Sequence, residues 1–179
     1  MTLRQSELRA LGRRMDFSTS SLEVLTESYR NRASLLHRRA FLSHSHLDQV
    51  MAVGLKRKLA QVGIKLYVDW LDLTEPRVTD VNTARRIQEA IRNCDYFLYL
   101  VTANSAKSIW CPWELGYADG IASLRDNIYV VPTMDDDDVE HGKEYLGLYR
   151  IMDLYCEENG TERFVYHDAQ DMSRHCFRD

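Results

Sequence analysis

The chain has 179 residues, a formal net charge of −4, 45% hydrophobic and 28% charged residues, the composition of a soluble globular protein of one domain and an appendage. That charge gives no electrostatic footprint for nucleic acid, and no apolar run approaches the roughly 18–20 residues that span a bilayer. The opening "MTLRQSELRALGRRM" lacks the apolar core of a secretory signal, and Cys94, Cys111, Cys156 and Cys176 show no paired metal-ligand spacing. The expectation is a cytoplasmic protein with reduced thiols, bound to neither membrane nor nucleic acid.

Residues 1–36 are polar and helix-prone. Leu22, Leu25, Tyr29 and Leu36 recur at roughly helical spacing behind Ser and Thr caps. They predict an N-terminal helical extension, with the main domain over 37–179. From residue 39 strands and helices alternate. "RAFLSH" reads as a strand ending in Ser43 and His44. "LDQVMAVGLKRKLAQVG" sets Leu47, Val50, Met51, Leu55, Leu59 and Val62 on one helical face, closed by Gly63. "IKLYVDW" is a second strand and "LDLTEPRVTD" a polar loop. "VNTARRIQEAIRNC" predicts a helix with Val81, Ala84, Ile87 and Ile91 inward. "DYFLYLVT" is a continuous apolar run, as in the centre of a parallel sheet. A third helix, "SIWCPWELGYADGIASL", and a fourth strand, "NIYVVPT", follow. "DDDD" at 135–138 reads as a solvated loop, because four adjacent carboxylates lack the spread of ligands a metal cage needs. Beyond it the pattern weakens to a helix near 141–150 and a strand at "RFVYH".

This alternation, with right-handed crossovers, predicts an α/β fold, a flavodoxin-like doubly wound parallel sheet. Ligands on such sheets bind beyond the carboxyl ends of the strands. The rule gathers Ser43, His44, Asp69, Trp70, Thr102 and Asn104 around one crevice. Glu114 then stands out. It is the only acid between Asp95 and Asp119, and an unpaired buried carboxylate costs several kcal/mol or shifts its pKa. Its helix overlooks the same crevice.

The ordered set "AFLSHSHLD", "GIKLYVDW", "LDLTEPRVTD", "CDYFLYLVTANSAKS" and "WCPWEL" resembles the Toll/interleukin-1 receptor (TIR) domain, especially its bacterial stand-alone forms, over about residues 38–135. The resemblance implies cleavage of the nicotinamide–ribose bond of NAD+, with Glu114 in the place of the family's catalytic glutamate. NAD+ is then the substrate and no cofactor is implied. It further implies self-association through the TIR domain, the loop after the second strand contributing. A diffusible product acting on a separate effector protein is expected, as in Thoeris antiphage defence. Two other readings stand beside it. Some TIR domains are non-catalytic assembly scaffolds, and "ELGYA" also resembles the glutamate segment of nucleoside 2-deoxyribosyltransferases.

The resemblance and the crevice together nominate substrate-binding residues. Phe41, Ser43, His44 and Ser45 line the pocket or pack the strand end. Asp69 bonds a ribose hydroxyl or caps the loop. Asn104 faces the crevice, and Ser105 points into it or caps the third helix. Trp70 and Trp110 stack on nicotinamide or adenine, or fill the core. Trp113 is expected in the core, and Cys111 as a small buried residue. No metal site is expected.

Overall fold

The computed structural model describes residues 2–13, 39–61, 65–67, 80–156, 162–168 and 175–176. Its strands are β1 (Leu3–Arg4), β2 (Arg39–Ser43), β3 (Lys65–Tyr67), β4 (Tyr96–Leu100), β5 (Ile128–Val131), β6 (Thr133–Met134), β7 (Arg150–Cys156), β8 (Glu162–His167) and β9 (His175–Cys176). Its α-helices are α1 (Gln5–Arg13), α2 (Gln49–Gln61), α3 (Val81–Arg92) and α4 (Trp110–Asp119). The main sheet runs β3-β2-β4-β5-β7-β8-β9. It is parallel from β3 to β7 and antiparallel from β7 to β9. The parallel part has the expected flavodoxin-like order, and the direction of winding reverses between β2 and β4.

Strand periodicity divides the core in two. Ala40, Leu42, Leu98 and Leu100 face one side, where Leu3, Leu8, Met51, Leu55 and Leu59 cover them. Phe41, Phe97 and Tyr99 face the other, under Ile87, Ile91, Cys111, Leu115 and Ala118. Residues buried on both faces explain why β4 reads as an unbroken apolar run. Asp80 starts α3 by accepting the backbone N–H of Thr83 at 2.7 Å. Two residues predicted to point inward do not: Val81 and Leu47 are exposed. Val81 opens its helix, and Leu47 belongs to a 3-10 turn (His46–Asp48) that precedes α2, so neither sits on a completed helical face.

The N-terminal segment departs most from expectation. A helix is present, but it follows a strand, and residues 3–13 are built into the domain rather than appended to it. β1 pairs in parallel with β6. α1 lies on α2 so closely that a Cβ on Gly54 would strike the Leu8 carbonyl, and one on Gly12 the Val50 carbonyl. A division between residues 36 and 37 therefore does not separate two bodies, and the main domain includes α1. The predicted helical stretch around Leu22, Leu25, Tyr29 and Leu36 lies outside the described residues, as do Val62 and Gly63.

The acidic run has a partner in the same segment. Arg4 meets Asp138 at 2.8 Å and Arg9 meets Asp136 at 3.1 Å. Thr2 Oγ1 donates to Glu140 at 2.9 Å. Asp135 accepts the backbone N–H groups of Val139 and Asp137 and pairs with His141 at 2.7 Å. "DDDD" is a counter-surface for the N-terminus, not a bare solvated loop. The helix expected at 141–150 is a short 3-10 turn (Glu144–Leu148), and the strand at "RFVYH" is β8. No helix among the described residues is long and apolar enough to cross a membrane.

Candidate active site

The local sequence of α4 explains how a carboxylate comes to lie inside. Cys111, Glu114, Leu115 and Ala118 are its buried residues, the i, i+3, i+4, i+7 stripe that faces a core. Glu114 occupies an inward position in that stripe and is 0% exposed. Ser108 opens the helix, its Oγ accepting the N–H of Trp110 at 3.2 Å and of Cys111 at 3.3 Å. Pro112 falls in the first turn, where an N–H has no intrahelical partner to lose.

Facing Glu114 is the last residue of β2. Ser43 Oγ donates to Glu114 Oε2 at 2.6 Å. This bond joins α4 to β2 beside the reversal point, at the carboxyl ends of the strands. A buried carboxylate held there has a fixed place from which to meet a substrate's polar groups or stabilise developing positive charge.

A second buried acid, one that reading the sequence did not single out, follows the same strand. Asp48 ends the 3-10 turn after β2 and is 2% exposed. Thr102 Oγ1 donates to its Oδ2 at 2.5 Å, and Asn104 Nδ2 to its Oδ1 at 2.6 Å. Burial pushes this carboxyl above the usual carboxylate range, against the pull of those two bonds and of the Arg9 and His46 charges. Asp48 thus ties the loop after β2 to the loop after β4. The signal available in the sequence was an acid within five residues of Ser43 at the mouth of the predicted crevice.

The other nominated residues divide into those at the mouth and those in the core. His44 is buried, its Nδ1 donating to the Leu42 carbonyl at 3.1 Å. Ser45 caps the 3-10 turn by accepting the Leu47 N–H. Ser105 closes the loop after β4 against Thr102: each backbone N–H donates to the other's hydroxyl at 2.9 Å. Ser43, at the end of β2, and His44, Ser45, Asn104 and Ser105, on the two loops that flank the reversal point, are therefore grouped, with Glu114 against Ser43. Phe41 is not among them. Its ring is stacked on Phe97 at 5.6 Å within the core, on the α4 side of the sheet and deeper along β2 than Ser43. Asp69, Trp70 and the loop at 71–79 lie outside the described residues.

The tryptophans also divide differently from expectation. Trp113 is 37% exposed, not in the core. It stacks on Tyr117 at 6.0 Å and meets the edge of Trp110 at 5.4 Å. The 110, 113, 117 spacing forms a flank beside the buried stripe, and Trp110 packs part-buried against the core. Cys111 is fully buried, and burial pushes the Cys94 thiol up to about 12, so neither has the environment of a reactive thiolate.

Comparison with known proteins shows the family. The family model described as TIR domain matches residues 40–165. A curated relative from Bacillus cereus (strain MSX-D12), "Probable 3' cyclic ADP-D-ribose synthase ThsB'", is 33% identical over 153 residues, covering 82% of this chain and 77% of its own length. A mostly parallel sheet in 2-1-3-4-5 order, a glutamate inside the helix after the third strand of that sheet, and a match over most of the chain lead to one family: this protein belongs to the TIR domain family.

Proposed function

We propose that this protein cleaves the nicotinamide–ribose bond of NAD+ and makes a cyclic or conjugated ADP-ribose signal, with Glu114 as the catalytic carboxylate. The observation that carries the reading is the burial of Glu114 against Ser43 at the strand ends. Ordinary glycoside hydrolysis needs two carboxylates, because a poor leaving group must be protonated while the anomeric carbon is attacked. The nicotinamide of NAD+ is already a pyridinium cation. It departs with the bonding electron pair as a neutral ring, so one carboxylate that holds the ribose hydroxyls and stabilises the oxocarbenium-like charge suffices. Ser43 fixes the carboxylate, and Asp48 with Thr102 and Asn104 fixes the loops around it.

The fate of the ribosyl cation depends on which nucleophile reaches C1′. Water gives ADP-ribose. A hydroxyl of the adenosine ribose, folded back on the same molecule, loses its proton as the new C–O bond forms and gives a cyclic product of the kind in the relative's name. A bound state that excludes water would favour the internal nucleophile. In this reading the product diffuses in the cytoplasm to a separate effector of a Thoeris-type antiphage system, and self-association through the 71–79 loop supports activity. Mass spectrometry of NAD+ incubated with wild-type protein and with Glu114→Gln tests the chemistry. Cleavage lost in the variant supports it. Intact NAD+ with wild type in every assembly state favours a scaffold, and base exchange on deoxynucleosides with NAD+ untouched favours deoxyribosyl transfer.

A further inference from the structure

Two buried carboxylates, Glu114 and Asp48, lie on elements at the carboxyl ends of the parallel strands, yet the proposed substrate carries a pyrophosphate. Anionic phosphates and buried carboxylates repel each other strongly where water is excluded. Such a site needs a cation, and the N-terminal helix presents one. Gln5, the first residue of α1, is buried and donates through Nε2 to Thr133 Oγ1 at 3.0 Å. Thr133 in turn donates to the carbonyl of Val101, the residue before Thr102, which bonds Asp48. From the other end of its amide, Gln5 Oε1 accepts the Arg9 Nη2–H at 2.9 Å. Arg9 is thereby tied, through a chain of bonds, to the start of the loop after β4. The Arg9 charge is felt at Asp48. The seat of α1 is fixed by the close approaches at Gly12 and Gly54.

We propose that Arg9 binds the pyrophosphate of the dinucleotide, exchanging Asp136 for phosphate oxygens as the substrate enters. The inference rests on the reading of this crevice as an NAD+ site. A guanidinium offers five donors in a planar fork that suits phosphate, and Gln5 pre-orients it. Its present partner is cheaply displaced. The Asp136 side chain is 67% exposed, and pairs of that kind are worth about 0–1 kcal/mol. The acidic run then has a function beyond docking the N-terminus: Asp136 neutralises Arg9 until a phosphate replaces it.

Isothermal titration of ADP-ribose and of adenosine separates this role from a structural one. Arg9→Gln should weaken ADP-ribose binding ~10- to 100-fold, the scale of a charge-assisted bidentate contact, and leave adenosine, which lacks phosphate, within about twofold. Arg9→Lys should fall between wild type and Arg9→Gln. Asp136→Asn breaks the same ion pair but frees the guanidinium, so it should bind ADP-ribose as tightly as wild type or tighter. The proposal is overturned if Arg9→Gln binds ADP-ribose like wild type, if wild type does not bind ADP-ribose, or if Asp136→Asn weakens it as much as Arg9→Gln. Because binding is read without turnover, Arg9-dependent binding of ADP-ribose with no cleavage of NAD+ would support this inference while contradicting the proposed chemistry.

Discussion

Replacing Gly54 with alanine should destabilise the protein, whereas the same change at Gly116 should stabilise it. Both glycines lie within helices, and alanine is favoured over glycine there by about 1 kcal/mol. At Gly116 nothing lies within 4 Å of the new Cβ, so the propensity gain stands alone. At Gly54 the new Cβ meets the Leu8 carbonyl, with the Leu8 carbonyl carbon and Cα close behind. Backbone cannot rotate away as a side-chain tip can, and forced shifts in packed contacts cost about 1–3 kcal/mol, at the upper end here. The clash outweighs propensity by about 1–2 kcal/mol, and at ~2–4 °C per kcal/mol for this size the midpoint should fall ~2–8 °C. Gly116→Ala should raise it ~2–4 °C. Scanning calorimetry of the three proteins gives the answer. A Gly54→Ala midpoint that rises together with that of Gly116→Ala would refute the seating of α1 on α2, and with it the inclusion of the N-terminal segment in the domain.

Two further outcomes follow from buried polar groups. Ser43→Ala removes the hydroxyl that donates to Glu114; kcat/KM for NAD+ should fall ~10-fold or more, the worth of a bond to a charged group, and steady-state kinetics equal to wild type would contradict the role. Burial lowers the Lys56 ammonium from 10.5 to about 8, which costs the folded state up to ~3 kcal/mol. Between those values the unfolded chain binds the extra proton, so the cost is complete below pH about 8 and fades as pH rises towards 10.5. Lys56→Met should therefore be more stable than wild type in urea at pH 7, with an advantage that shrinks by pH 10; a constant difference would argue that burial is not the cause.

The parallel sheet was legible because its strands are buried on both faces, and "DYFLYLVT" then reads as an apolar run with little ambiguity. Glu114 was legible because a lone acid inside a core stripe violates the pattern around it. What the sequence hid depends on contacts between distant segments. Two residues, Leu3 and Arg4, carry no period that marks a strand, and their partners Thr133 and Met134 lie far along the chain. Gly12 and Gly54 look like ordinary helix glycines until the helices are superposed. The acids at 135–138 read as solvated because Arg4 and Arg9 lie more than a hundred residues away. For Phe41 the sequence left pocket lining and strand packing open; the ring packs on Phe97 in the core, on the same face as Ser43 but deeper in the sheet. Trp113 was placed inward on hydrophobicity alone, although the stripe of Cys111, Glu114, Leu115 and Ala118 leaves it on the flank.

The central claim is that one buried carboxylate breaks an N-glycosidic bond whose leaving group is already cationic. Mass spectrometry of purified protein with NAD+, NADH, deoxyadenosine and thymidine, each offered with a free acceptor base, tests it directly. The account predicts nicotinamide release from NAD+ alone, lowered at least ~100-fold in Glu114→Gln, the scale of losing one key electrostatic group. NADH should survive, because its uncharged ring cannot leave as a neutral molecule. Equal nicotinamide release by wild type and a folded Glu114→Gln variant would contradict the assignment of the chemistry to this site.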